Sequence, residues 1–139
     1  MSLYTVTLLL GSNLGEPKLN IENALQLIAN DVGTIYERSG ILQSKPVEFA
    51  SNNIFCNIAV LIKTGFSPIK VLKLIKQIEQ NMGRTEDSSV TNTYADRVID
   101  IDIVRFDQIT FENKSLRIPH IKHVYEREFS KLLLQSLKH

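Results

Sequence analysis

Apolar residues recur along this chain with two different periods, and the places where the period changes mark its elements. Tyr4 to Leu10 reads as a first strand, ended by the turn residues of GSNLGEP at 11–17. From about Pro17 to Asn30, Ile21, Ala24, Leu25 and Ile28 fall at i, i+3, i+4 and i+7, which predicts a helix with Pro17 in its first turn. Gly33 opens a second strand that runs to about Ser44. The third, about Ile54 to Lys63, alternates cleanly: Cys56, Ile58, Val60 and Ile62 on one face, Phe55, Asn57, Ala59 and Leu61 on the other. Ser67 as cap, Pro68 at the first position and Gly83 as terminator bracket a second helix. Its apolar stripe is Val71, Leu72, Ile75, Ile78 and Met82. A fourth strand, a short stretch to Ile118 and a helix from roughly Glu126 to Leu137 complete the chain.

The order strand, helix, strand, strand, helix, strand predicts an α+β fold. The expected form is a ferredoxin-like βαββαβ sandwich, with helices against one sheet face and a C-terminal helix added. Residues 1–139 are expected to form one domain. Two connections, 45–53 and 85–96, are long and mostly polar for a compact domain; they read equally well as functional lids or as plain variable loops.

The fourth strand, RVIDIDIVRF from Arg97 to Phe106, is the unusual one. Alternation sends Ile99, Ile101 and Ile103 to one face, and Val98, Asp100, Asp102 and Val104 to the other. The two carboxylates then stand about 6–7 Å apart along the strand. Their repulsion is roughly 1–3 kcal/mol at dielectrics between water and a protein surface. A solvated face could absorb that cost. A magnesium site would use it, because Mg²⁺ takes one or two carboxylates and completes its shell with water and phosphate oxygens. Val98 and Val104 on the same face suggest a partly covered cleft. Cations in the same half of the chain, Arg84, Arg97, His120 and Arg127, add the charge that phosphoryl transfer requires.

Composition changes the picture by exclusion. With 43% apolar and 22% charged residues the chain is an ordinary globular one. A net charge of +1 gives no footprint for nucleic acid or an anionic membrane, so neither is expected as a partner. The single cysteine, Cys56, can form no internal disulfide, which suits a reducing cytoplasm. No apolar run is long enough to cross a bilayer. The turn after the first strand has neither P-loop nor dinucleotide spacing.

Taken together, the strings LLLGSNLGEP, KPVEFASNNIFCNIAVLIKT, IEQNMGRT, ADRVIDIDIV, LRIPH and REF resemble the 6-hydroxymethyl-7,8-dihydropterin pyrophosphokinase family over nearly the whole chain. That resemblance implies transfer of diphosphate from ATP, as co-substrate, to a pterin alcohol, with release of AMP and two Mg²⁺ ions as cofactors. By position it implies that Asp100 and Asp102 ligate the metals. Arg84, Arg97 and Arg127 would meet phosphate, and His120 would bond to it. The resemblance further implies a pterin slot: Asn57 at the ring edge, Phe55 and Phe129 sandwiching the ring, the backbone from Ser44 through Pro46 to Val47 closing it, and Glu79 as an acid inside the site. Stacking and paired edge bonds are what a desolvated planar heterocycle needs. The chain departs from the family pattern in having no tryptophan in 85–96 and in carrying Lys76 where glutamine is common. A monomer acting on the pterin and ATP is expected. Two other readings share the element order: another two-metal nucleotidyl-transfer enzyme, and a non-catalytic ferredoxin-like module that senses a small molecule.

Overall fold

The computed structural model describes residues 3–44, 54–83, 98–120 and 128–137. Its elements are β1 (Tyr4–Ser12), α1 (Pro17–Asp31), β2 (Thr34–Arg38), β3 (Leu42–Ser44), β4 (Phe55–Thr64), α2 (Pro68–Asn81), β5 (Asp100–Phe106), β6 (Phe111–Glu112), β7 (Arg117–Ile118) and α3 (Glu128–Ser136). The result is a mixed α/β fold with an antiparallel sheet and three helices among the described residues. The sheet runs β2-β4-β1-β5, with β3 also on β4. Every pairing in it is antiparallel. Consequently α1 joins two parallel strands that have β4 between them, and α2 joins two that have β1 between them.

Alternation decides the layers. Val6, Leu8 and Leu10 of β1, Ile58, Val60 and Ile62 of β4, and Ile99, Ile101 and Ile103 beside and along β5 share one buried core. The buried stripes of both helices, Ile21, Ala24, Leu25 and Ile28 from α1 and Val71, Ile75 and Ile78 from α2, belong to the same core. Leu9, Ala59, Leu61 and Val104 point the other way and pack with Leu133 and Leu137 at α3. The expectation of helices against one face therefore holds for α1 and α2 only. The C-terminal helix covers the second face, because the sheet offers an apolar patch there as well.

Two further expectations change. The second strand is two short ones, because Ser39 interrupts it. Its N–H donates to the Ala59 carbonyl at 2.8 Å, but its hydroxyl, rather than a backbone carbonyl, accepts the Ala59 N–H at 3.0 Å. That hydroxyl in turn donates to the Gly40 carbonyl at 2.8 Å. In β5, strict alternation fails after Val104. The β1–β5 register slips between Thr7 and Leu8, so Phe106 turns into the main core and Arg105 to the surface. A bulge of this kind re-aims every side chain beyond it.

The helix caps follow the expected chemistry. The Ser67 hydroxyl accepts the Lys70 N–H at 3.2 Å, and Pro68 begins α2. Gly83, at φ +108°, ends it in a conformation that L side chains rarely adopt. The stretch between β5 and Ile118 folds into the small hairpin of β6 and β7.

Candidate functional site

Antiparallel register places the candidate residues in rows across the sheet. Leu42 of β3 faces Asn57 of β4, Asn57 faces Gly11 of β1, and Gly11 faces Asp100 of β5. In the next row Ala59 faces Leu9, and Leu9 faces Asp102. Since Ala59 and Leu9 belong to the core beneath α3, Asn57, Asp100 and Asp102 occupy that same face, at the end of the sheet where β1 stops. Both aspartates are half-buried. Asn57 is only 5% exposed, so its amide is fixed in place.

Gly11 separates the amide from the carboxylates. Its φ is not in the left-handed region, yet a Cβ built there would lie 2.8 Å from Asn57 Oδ1. The Asn57 side chain is thus laid across the bare backbone of β1. Just beyond, the GSN turn is held by Asn20 of α1, whose amide donates to Ser12 Oγ at 3.1 Å and to the Leu14 carbonyl at 2.7 Å.

Glu79 sits behind the aspartates. It occupies the buried stripe of α2 at 2% exposure, and its Oε2 accepts the N–H of Ile101 at 2.8 Å. Ile101 is the residue between Asp100 and Asp102. Among the described strands β5 pairs only with β1, so this carboxylate satisfies the outer edge of the strand at the metal-binding candidates themselves. Lys76 Nζ lies 3.8 Å from the other oxygen of Glu79. His120 follows Ile118 and Pro119, and its backbone N–H donates to the Val104 carbonyl at 2.9 Å, two residues past Asp102.

Phe55 begins β4 on the same face as Asn57 and is half-buried; it pairs with Ser44 at the end of β3. Phe129 falls in the first turn of α3. Pro46, Val47, Arg84, Arg97 and Arg127 lie outside the described residues, as do both long connections singled out above, 45–53 and 85–96. The sequence pattern does not mark Gly11, and Glu79 enters only through the family resemblance. A signal for Glu79 existed: it stands four residues after Ile75, on the apolar stripe, where an acid is costly unless bonded. Nothing local marks Gly11, whose neighbour Asn57 is 46 positions away. Cys56 lies on the helix side of the sheet, where burial pushes its thiol up from the usual range against a smaller opposing pull from Lys18.

Among the described residues no group of three His, Cys, Asp or Glu side chains could hold a metal by itself. Two carboxylates are nonetheless a fitting set for Mg²⁺, which leaves most of its octahedral shell to water and phosphate. The donors therefore suit a broad class: a carboxylate pair and a fixed amide on one sheet end fit proteins that handle a polar small molecule, with or without a divalent cation.

Comparison with known proteins narrows that class. Residues 7–139 match the family described as 7,8-dihydro-6-hydroxymethylpterin-pyrophosphokinase (HPPK), and the chain belongs to this family. It is 34% identical over 121 residues to the 2-amino-4-hydroxy-6-hydroxymethyldihydropteridine pyrophosphokinase of Bacillus subtilis, covering 86% of this chain and 70% of that protein. The enzyme of the same description from Porphyromonas gingivalis is 31% identical, with coverage of 95% and 89%. In fold the chain is similar to wild-type HPPK-DHPS of Plasmodium falciparum, with a TM-score of 0.72, 19% identity, and coverage of 98% of this chain and 38% of that one.

Proposed function

We propose that this protein transfers diphosphate from ATP to the hydroxymethyl group of 6-hydroxymethyl-7,8-dihydropterin, releasing AMP, as a step of folate synthesis. Family membership supports the reaction, as do the pyrophosphokinase names of its relatives. The structural observation that carries the reading is the row Asn57–Gly11–Asp100, with Asp102 beside it: one fixed amide and two carboxylates on a single sheet end. The two alternative readings, a nucleotidyl-transfer enzyme and a sensor module, have no counterpart among the relatives named above.

In this reading Asn57 pairs with the amide-like edge of the pterin, and Phe55 with Phe129 stacks on the ring. Ser44, Pro46 and Val47 close the slot through their backbone. Asp100 and Asp102 would hold Mg²⁺, which when bound would neutralise charge on the phosphates and orient them. The hydroxymethyl oxygen attacks the β-phosphorus of ATP in line. A bond forms between that oxygen and the phosphorus, the bond to the α,β-bridging oxygen breaks, AMP departs with the electron pair, and the hydroxyl proton leaves to solvent. Arg84, Arg97, Arg127 and His120 stabilise the phosphate charge, so positioning and electrostatics do most of the catalysis. Glu79 serves this site from beneath, by fixing the strand that bears the aspartates.

The strand order β2-β4-β1-β5 supports a ferredoxin-like βαββαβ reading of the fold. No helix among the described residues is long and apolar enough to cross a membrane. We place the enzyme in the cytoplasm, acting as a monomer, with residues 1–139 forming one domain.

The test is incubation with ATP, Mg²⁺ and the pterin alcohol. AMP and the pterin diphosphate are the expected products; ADP, or nucleotide turnover that does not need the pterin, refutes the reading. Asp100→Asn and Asp102→Asn should each lower turnover by about 10²–10³ with melting close to wild type. Loss of the fold in either variant would assign the side chain a structural role instead.

A further inference from the structure

We infer that Gly11 is a positioning residue of the pterin site: its missing side chain is what lets the Asn57 carboxamide lie across β1 toward Asp100. The inference rests on the proposed reaction and deepens it. Glycine at a strand interior is ordinarily a weakness, since it packs nothing and loses more entropy on folding than other residues. Backbone conformation does not require it here, for Gly11 is not among the glycines with positive φ, which are Gly15 and Gly83. What requires it is space. An alanine Cβ would stand 2.8 Å from Asn57 Oδ1 and 3.8 Å from Asn57 Cγ, the second contact ordinary and the first too short to survive.

Something must therefore move, and the nearest atom is the functional one. The next neighbour, the Cys56 carbonyl, is at 3.9 Å and takes no strain. Asn57 is buried at 5% exposure, so its amide has little free volume into which to swing. Alanine at position 11 would push that amide off the direction in which it meets a ring edge, and leave the strand itself intact.

Gly11 also sets the spacing of the site. It pairs with Asn57 on one side and with Asp100 on the other. Antiparallel partners have Cα atoms about 4.5–5.5 Å apart, so the amide row and the first carboxylate are separated by about 10 Å at the backbone, with only a glycine between. A ring held at Asn57 and a phosphate held near Asp100 must meet above that gap.

Gly11→Ala, made in the full chain, tests this. Pterin binding is followed by its own fluorescence in the presence of a non-hydrolysable ATP analogue and Mg²⁺, and nucleotide binding by calorimetry. The expected result is a pterin Kd weakened at least tenfold with the analogue's Kd within twofold of wild type. A second arm places Gly11→Ala in an Asn57→Ala background, where the collision no longer exists; there it should change pterin affinity by less than twofold. Pterin affinity within twofold of wild type in the single variant overturns the inference. So does a further tenfold loss in the Asn57→Ala background, or equal weakening of both ligands. Failure of the wild-type chain to make AMP from ATP and the pterin would refute the proposed reaction itself, a different outcome from any of these.

Discussion

Removing the Glu79 carboxylate should loosen the strand that carries both aspartates, and the structure sets the size of the effect. Oε2 accepts the Ile101 N–H at 2.8 Å, and both residues are buried, at 2% and 4% exposure. Glu79→Leu leaves that N–H without its acceptor in a dry environment, which costs about 1–3 kcal/mol. A loss of about 2 kcal/mol is the centre of that range. For a chain of 139 residues, an unfolding entropy near 2.1 cal/mol/K per residue makes each kcal/mol worth about 3–4 °C, hence a drop of about 7 °C. Glu79→Gln keeps a carbonyl acceptor in the same place and should melt about 3 °C below wild type or less. Thermal melting separates the two variants. Amide hydrogen exchange then localises the change, because Ile101 should lose protection in the leucine variant and keep it in the glutamine one. A leucine variant with wild-type melting and a protected Ile101 amide would refute the reasoning.

Other consequences follow from single contacts. A Cβ on Gly33 would stand 2.2 Å from the Lys63 carbonyl oxygen, which is backbone and cannot swing aside. Gly33→Ala should therefore destabilise by about 1–3 kcal/mol, while Gly40→Ala, with open space around it, should leave melting within a degree or two. Acid should weaken the clamp between α1 and β2. Arg38 donates to Glu22 at 3.0 and 2.7 Å, and this hydrogen bonding holds the Glu22 carboxyl below its ordinary range. Because the folded value is depressed, the stabilisation is full above the unfolded pKa, near 4.5, and disappears as pH falls through the folded one. Both side chains are largely exposed, so the pair is worth about 0.2–1 kcal/mol. Glu22→Gln should melt slightly below wild type at pH 7 and match it in strong acid; a gap that persists or widens on acidification contradicts the assignment.

Much of the fold can be read directly from local pattern. Cys56, Ile58, Val60 and Ile62 take one face of β4, and Ala59 and Leu61 the other, as their alternation requires. Ser67, Pro68 and Gly83 bracket α2 because capping is a contact among residues three or four apart. The placement of Asp100 and Asp102 on the face opposite Ile101 and Ile103 has the same origin. What escaped local reading involves distant partners. Ser39 breaks a strand because its hydroxyl takes the N–H of Ala59, twenty residues on. Phe106 turns inward because β5 slips against Thr7 and Leu8 of β1.

The order of the main helices and strands, most of their apolar faces and the acidic pair were thus determined by the sequence alone, since periodicity and capping act within one or two turns of chain. Tertiary structure decided that Asn57, Gly11 and Asp100 share one row, that Glu79 ties down the strand between the aspartates, and that a second core lies under α3. Register and layer packing bring together residues far apart in the chain, and no short stretch of it encodes such a meeting.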